Sequence, residues 1–438
     1  MSRKKIFLFP LFAVLSIQLG CSQQPSVSKM SEDELTAYAR EVHARVLTID
    51  THDDISFDFA TEKDDPGNPD NRRQVTLPKM KQGGLDVGFF IVYVGQGERT
   101  PEGYEFAYKQ AVTKFDAIHR MTEKMHPDKI ELAYTPDDVV RIHRSGKLVA
   151  CIGIENGWPI GKDLTKVKEF YDRGGRYITL AHGGHNDICD SATPRQGEPE
   201  AEHNGVSEFG KQVIAEMNRW GIMVDISHIS KKSALDALKL SKAPVIASHS
   251  GARAVNDHPR NIDDETLLEL KNNGGVIQLV ALRDFVKTRR PSPERLQAIA
   301  ALRKEYGLPE QGGFGAIGRL MESWPEERRA AFRERMQEID QKHPLPPVTV
   351  QDFVNHIDHV VRLIGIDHAG ISSDFDGGGG VDGWNDASET PNVTKELIRR
   401  GYTEDQIQKL WGSNLLRVWR EVERVAAELQ KQSPVGSK

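Results

Sequence analysis

The chain has 438 residues, 38% hydrophobic and 28% charged, with a formal charge of −6. This is ordinary globular composition, long enough for one large domain or two smaller ones. An acidic chain with no basic stripe and no interleaved aromatics is a poor binder of nucleic acid, and its three cysteines are too few for a disulfide framework.

The chain opens on the basic stretch MSRKK and continues into IFLFPLFAVLSIQLG, an apolar run too short to span a bilayer comfortably. A charged segment before such a run reads as a secretory signal over residues 1–20. Arg3, Lys4 and Lys5 leave with it, so the exported part is more acidic still. Cys21 directly after Leu19-Gly20 resembles the lipobox of bacterial lipoproteins, whose cysteine is lipidated and becomes the mature N-terminus. Gln18 departs from that pattern, which usually has Leu there, and an ordinary secretory signal is the alternative. The resemblance implies a cell-envelope protein touching the membrane through its lipid anchor alone. Ser22 after the cysteine favours the outer membrane of a two-membrane cell. Residues 21–40 then read as a lipidated N-terminus and polar tether, 41–427 as the folded domain and 428–438 as a flexible tail.

Eight β-like runs follow in order. They are VLTID (46–50), VGFFIVYV (87–94), LVACIGIE (148–155), RYITLAH (176–182), IMVDISH (222–228), PVIASH (244–249), GVIQLV (275–280) and AGISSDF (369–375). Most are continuous apolar runs, as parallel strands covered on both faces require. Helix-like stretches lie between them at 105–125, 163–173, 207–220, 231–241, 264–273 and 350–364, several opening on capping residues such as Ser207 and Asp263. Strand and helix alternating eight times predicts an α/β fold, a (β/α)8 barrel of the TIM type. Residues 286–348 break the rhythm as a charged helical insertion between the seventh and eighth strands, on the site face of the barrel, where a lid, an oligomer contact or plain solvated decoration are the readings. GGGGVDGW (377–384) reads as a flexible loop, and helices near 392–400 and 403–427 close the chain.

The chemistry sits at the strand ends. His52 and Asp54 follow VLTID, Glu155 ends LVACIGIE, His228 ends IMVDISH and His249 ends PVIASH. A parallel barrel builds its active site at that end of its strands. The i, i+2 spacing puts His52 and Asp54 on one face of an extended strand and turns Asp53 to the other. His52 with Asp54 can hold one cation, His228 with His249 a second, and Glu155 can bridge them with its two oxygens. Three protein ligands per ion leave room for water, and two nearby cations lower the pKa of a shared water to give a bridging hydroxide. Histidine and carboxylate without thiolate favour two Zn2+ per chain, with Mn2+ or Co2+ fitting the same donors. Cys151 lies four residues before Glu155, roughly 13 Å down an extended strand at ~3.3 Å per residue. Cys189 falls in a loop beyond the opposite strand ends, so the two are expected as ordinary thiols.

These residues, in this order, resemble the membrane dipeptidase (renal-type dipeptidase) family of binuclear zinc barrels. The motifs are IDTHDD (49–54), LPKMKQGGLDVGFF (77–90), IGIEN (152–156), GGRYITLAH (174–182), NRWGIMVDISHIS (218–230), APVIASHSGAR (243–253), RNIDD (260–264) and SSDFDG (372–377). The resemblance implies hydrolysis of dipeptides, including those with a C-terminal D-residue, and a homodimer. It assigns His52, Asp54, Glu155, His228 and His249 as metal ligands. It also assigns His182 to the substrate carbonyl and the tetrahedral intermediate, Arg260 to the substrate carboxylate and Asp374 to the proton shuttle. His185 lies close to His182 in sequence, and His182 is preferred because it ends its strand. Two readings compete: a deacetylase or lactonase on the same barrel, and a non-catalytic metal-binding lipoprotein.

Overall fold

The computed structural model describes residues 29–309, 321 and 324–432, which leaves the signal segment, Cys21 and the last six residues outside it. Among the described residues nine strands form, all paired in parallel: β1 (Ile49–Asp54), β2 (Val87–Tyr93), β3 (Ile130–Leu132), β4 (Leu148–Glu155), β5 (Gly175–Thr179), β6 (Met223–Asp225), β7 (Ile246–Ser250), β8 (Val276–Val280) and β9 (Ala369–Ser372). Eight of them run in the order β1-β2-β4-β5-β6-β7-β8-β9. The ring closes where the Asp54 N–H donates to the Phe375 carbonyl at 2.9 Å. This is the expected (β/α)8 barrel. The ninth strand, β3, went unseen because IEL is three residues long with a charge in the middle. It covers Leu148–Ala150 of β4, while β5 pairs with β4 only from Ile152 onward.

Strand bounds shift where polar residues enter. β1 begins three residues later than the apolar run and carries His52, Asp53 and Asp54 inside it. β6 is only three residues long, so His228 sits in the turn that follows.

Apolar spacing and caps set the outer helices. Val350–Ile364 buries Phe353, Val354, Ile357, Val360 and Ile364, starting from a capping box between Thr349 and Asp352. Among the described residues, the helices Glu32–His43, Leu77–Gly83, Pro136–Arg144 and the short Arg283–Val286 were absent from the sequence expectation. The first corrects the tether. Ser31 and Glu34 make a capping box, and Leu35, Ala39 and Val42 are buried. Its run of charge hides an apolar stripe at 35, 39 and 42.

The final helix, Asn414–Gln432, runs past the expected tail boundary and plugs one mouth of the barrel. Leu415, Leu416, Val418, Trp419 and Val422 form one cluster with Ile49, Val87, Met223, Ile246 and Val276, the first residues of their strands. Truncating Trp419, which is fully buried, removes about 3–5 kcal/mol by the usual cavity cost. The N-terminal mouth is thereby sealed and the C-terminal mouth is left for chemistry.

The 286–348 insertion contributes helices Pro293–Glu305 and Glu326–Lys342, packed on each other through Leu302, Leu308, Phe332 and Ile339. The 377–384 loop, expected to be flexible, is tied down: Gly380 bridges Leu282, Asp382 bridges Thr349, and Trp384 is fully buried. Cys151 and Cys189 are free and buried. Among the described residues no helix is long and apolar enough to cross a membrane.

Candidate metal centre

The C-terminal mouth holds a cavity of about 700 Å3 whose wall includes Asp54, Glu155, His182, His228, His249, Arg260 and Asp374. Glu155 lies at its centre. Its Oε2 faces His52 Nε2 at 3.6 Å, and its Oε1 faces His228 Nε2 at 2.8 Å, His249 Nε2 at 3.3 Å and His182 Nε2 at 3.5 Å. Asp54 Oδ2 is 3.5 Å from His52 Nε2. Burial works against the Glu155 charge, yet His182, His52 and His228 hold its carboxyl well below the usual range.

Ring orientation is set from behind. The Tyr177 hydroxyl donates to the Thr51 carbonyl at 3.0 Å, so at 3.0 Å from His52 Nδ1 its oxygen accepts the Nδ1 proton. Ser248 Oγ donates to Asp225 at 2.6 Å and therefore accepts from His249 Nδ1 at 2.8 Å. In its neutral form each ring then turns a bare Nε2 into the cavity, the form a metal takes. His249 Nε2 stands 2.7 Å from His228 Nε2. Burial pulls both of these rings well below the ordinary histidine range, which keeps them neutral.

This donor set fits a cation pair. Donor atoms of His52, Glu155 and His249, of Glu155, His182 and His228, and of His52, Asp54 and Asp374 each gather within 4.8 Å. Glu155 reaches both sides with different oxygens, as a bridging ligand must. His249 stands between His52 and His228 (ring centroids 3.8 Å and 4.8 Å away) and is not confined to the His228 side.

The remaining expected residues are also brought together. Asp53 turns away from the cavity and is buried with its Oδ1 3.4 Å from Ser373 Oγ. His182 lines the cavity, whereas His185 is a loop brace: its Nδ1 accepts from the Ser191 N–H at 3.0 Å and its Nε2 donates to the Pro199 carbonyl at 2.9 Å. Arg260 leaves the loop after β7, donates to the His249 carbonyl at 3.2 Å and stacks its guanidinium 5.1 Å from the centroid of the Phe285 ring. Its Nε is buried with no partner, and burial pulls the group down to about 10. Asp374, in the loop after β9, is pushed up to about 8 by burial. His228 and Asp374 adopt left-handed backbone, φ 68° and 60°, a conformation costing about 1 kcal/mol or more in a residue with a Cβ.

Sequence reasoning missed Arg73, Tyr93, Lys114 and Phe285, all in the cavity wall. Tyr93 ends an apolar run just as the metal ligands do, and that placement could have revealed it. Cys21 lies outside the described residues.

A profile of the membrane dipeptidase family (peptidase family M19) matches residues 36–433. Dipeptidase tcpJ of Claviceps purpurea is 33% identical over 384 residues, which cover 86% of this chain and 76% of that protein. The crystal structure of the probable dipeptidase PvdM from Pseudomonas aeruginosa aligns with a TM-score of 0.78 at 33% identity, over 90% of this chain and all (100%) of that one. A metallopeptidase from Rhodobacter sphaeroides, solved with a phosphinate mimic of the dipeptide L-Ala-D-Ala, shares the fold at a TM-score of 0.65 and 22% identity, over 86% of this chain and 99% of its own. With nearly the whole described chain inside the match, the protein belongs to the membrane dipeptidase family of metallopeptidases.

Proposed function

We propose that this chain hydrolyses dipeptides, including those with a C-terminal D-residue, at a pair of zinc ions, and that Cys21 anchors it to the cell envelope. One observation carries the catalytic reading: four imidazoles, Glu155 and Asp54 converge in the cavity that also holds Arg260. His52 and Asp54 would hold one ion, His228 and His249 the other, with Glu155 across both. When bound, the pair supplies a shared hydroxide as nucleophile and an electrophile for the scissile carbonyl.

The chain's own groups do the rest. Arg260 clamps the substrate carboxylate, an end group suited to a buried guanidinium whose Nε has no partner. His182 donates to the carbonyl oxygen as that atom gains charge. Asp374, in the cavity wall beside His52 and Asp54, takes a proton on its carboxylate from the attacking water and returns it to the departing nitrogen. The D-residue is included because the Rhodobacter sphaeroides structure of the same fold holds a mimic of L-Ala-D-Ala.

The test is hydrolysis by the zinc-loaded protein from Ser22 onward. The panel holds L-L and L-D dipeptides, tripeptides, and N-acetylated or C-amidated dipeptides. Cleavage confined to free dipeptides and lost on chelation is expected. A folded, metal-loaded sample that cleaves none refutes the reading. Arg260→Ala separates the deacetylase or lactonase alternative, whose substrates need no carboxylate clamp: it should cost a dipeptidase about 100-fold or more in kcat/KM.

A further inference from the structure

Arg260 accounts for one side of the cavity, and a second cation on the other side is left unused by the chemistry above. Lys114 belongs to the helix Pro101–Arg120, which follows β2, whereas Arg260 follows β7. β2 and β7 are four strands apart in the ring of eight, so the two cations face each other across the mouth. Lys114 is 4% exposed, and what remains open lines the cavity. Its ammonium sits 5.1 Å from the centroid of the Phe57 ring and 5.6 Å from that of Tyr93. Among the described residues it takes part in no hydrogen bond and no ion pair.

An ammonium this buried, open only toward the cavity and set against two aromatic rings, gains from an anion that enters there. Burial pulls its pKa down, opposed through space by Asp54 and Glu155. Both carboxylates belong to the metal-ligand set, so a filled centre withdraws that support. Arg73, the neighbouring cation, is already paired with Asp64 at 3.2 Å and Asp376 at 3.1 Å. Lys114 is therefore a cation of the cavity wall with no ion pair among the described residues, set against the Phe57 and Tyr93 rings.

Resting on the dipeptidase reading, we infer that Lys114 binds a second carboxylate, carried by the side chain of the substrate's N-terminal residue, and so selects aspartyl and glutamyl dipeptides. With the substrate's C-terminal carboxylate on Arg260 and its amide at the metal centre, the N-terminal residue extends toward Lys114. That residue's own carboxyl carbon is consumed in the scissile bond, so the only carboxylate it can offer is its side chain. Its free amine is a cation and is repelled by Lys114.

The experiment compares kcat/KM for Glu-Ala against Gln-Ala, and Asp-Ala against Asn-Ala, in the zinc-loaded protein and in Lys114→Met and Lys114→Arg. Each result is a ratio within one protein, so any general loss of folding or metal cancels. The wild type should favour the acidic member roughly tenfold or more. Lys114→Met should bring the ratio to about one, and Lys114→Arg should keep most of it. A wild-type ratio near one, or an unchanged ratio in Lys114→Met, overturns the assignment while leaving the dipeptidase reading intact. Failure of the wild type to cleave any dipeptide removes the dipeptidase reading, and this inference with it.

Discussion

Two histidines of the centre are held in one tautomer by partners that no sequence pattern marks. The metal ligands were legible because each is a polar residue ending an apolar run, a combination that packing alone does not favour. Tyr177 and Asp225 lie inside such runs, where a tyrosine or an aspartate reads as an ordinary barrel residue. Lys114 reads as one more lysine on an amphipathic helix, and the left-handed turns at His228 and Asp374 leave no trace in residue type. Tyr177 makes the sharpest test at this scale. Tyr177→Phe keeps the ring but removes the acceptor that fixes His52 Nδ1–H, so the imidazole can turn or change tautomer. Zinc affinity should fall about 10- to 100-fold, as is usual when a ligand histidine loses its outer hydrogen bond. Competition against a chromogenic chelator measures it, and an affinity equal to wild type would show that the His52 tautomer is fixed some other way.

At the scale of elements, the alternation of strands and helices was readable because parallel strands bury both faces and so stay apolar throughout. Elements that broke that rule were lost: β3 for its length and central charge, and the Glu32–His43 helix for a surface rich enough in charge to pass as a tether. The Val350–Ile364 helix was read correctly as an outer layer, yet its second task was invisible. His356, buried in its middle, accepts from the Ala252 N–H at Nδ1 (3.0 Å) and donates from Nε2 to the Val286 carbonyl (2.9 Å). Ala252 opens the loop that carries Arg260, so this helix pins the carboxylate-binding side of the mouth. Burial pulls His356 down to about 4 from the ordinary 6.5. The folded protein then binds fewer protons than the unfolded chain between those values. The His356 contribution is therefore fully present above pH 6.5 and is lost as pH falls toward 4. The loss amounts to about 3 kcal/mol at the acid end. Calorimetry from pH 7.5 to 4 should show His356→Gln less stable at neutral pH by about 1–3 kcal/mol, with a flatter acid limb than wild type. Parallel acid limbs would mean that other groups govern the decline.

The whole molecule gathers its site from β1, β4 and β7 and from the turns after β5, β6, β7 and β9, so the metal centre and the barrel share one stability. Without cations, the buried Glu155 carboxylate is left to the rings around it, with His228 Nε2 2.8 Å from Oε1 and 2.7 Å from His249 Nε2. A ligand that binds only the folded form stabilises it by mass action, by about 4 kcal/mol when free zinc reaches 1,000 times its dissociation constant. Chelation should therefore lower Tm by several degrees and zinc should restore it, by a margin that grows with free zinc. Hydrogen exchange locates the effect. Protection should rise at the C-terminal ends of β1, β4 and β7, whereas the insertion, whose helices Pro293–Glu305 and Glu326–Lys342 pack on their own small cluster and add no residue to the cavity wall among the described residues, should not respond. A Tm blind to zinc in a protein that demonstrably takes it up would place the ions elsewhere than this mouth, because a pair of ions that together join β1, β4 and β7 cannot leave the barrel's unfolding untouched.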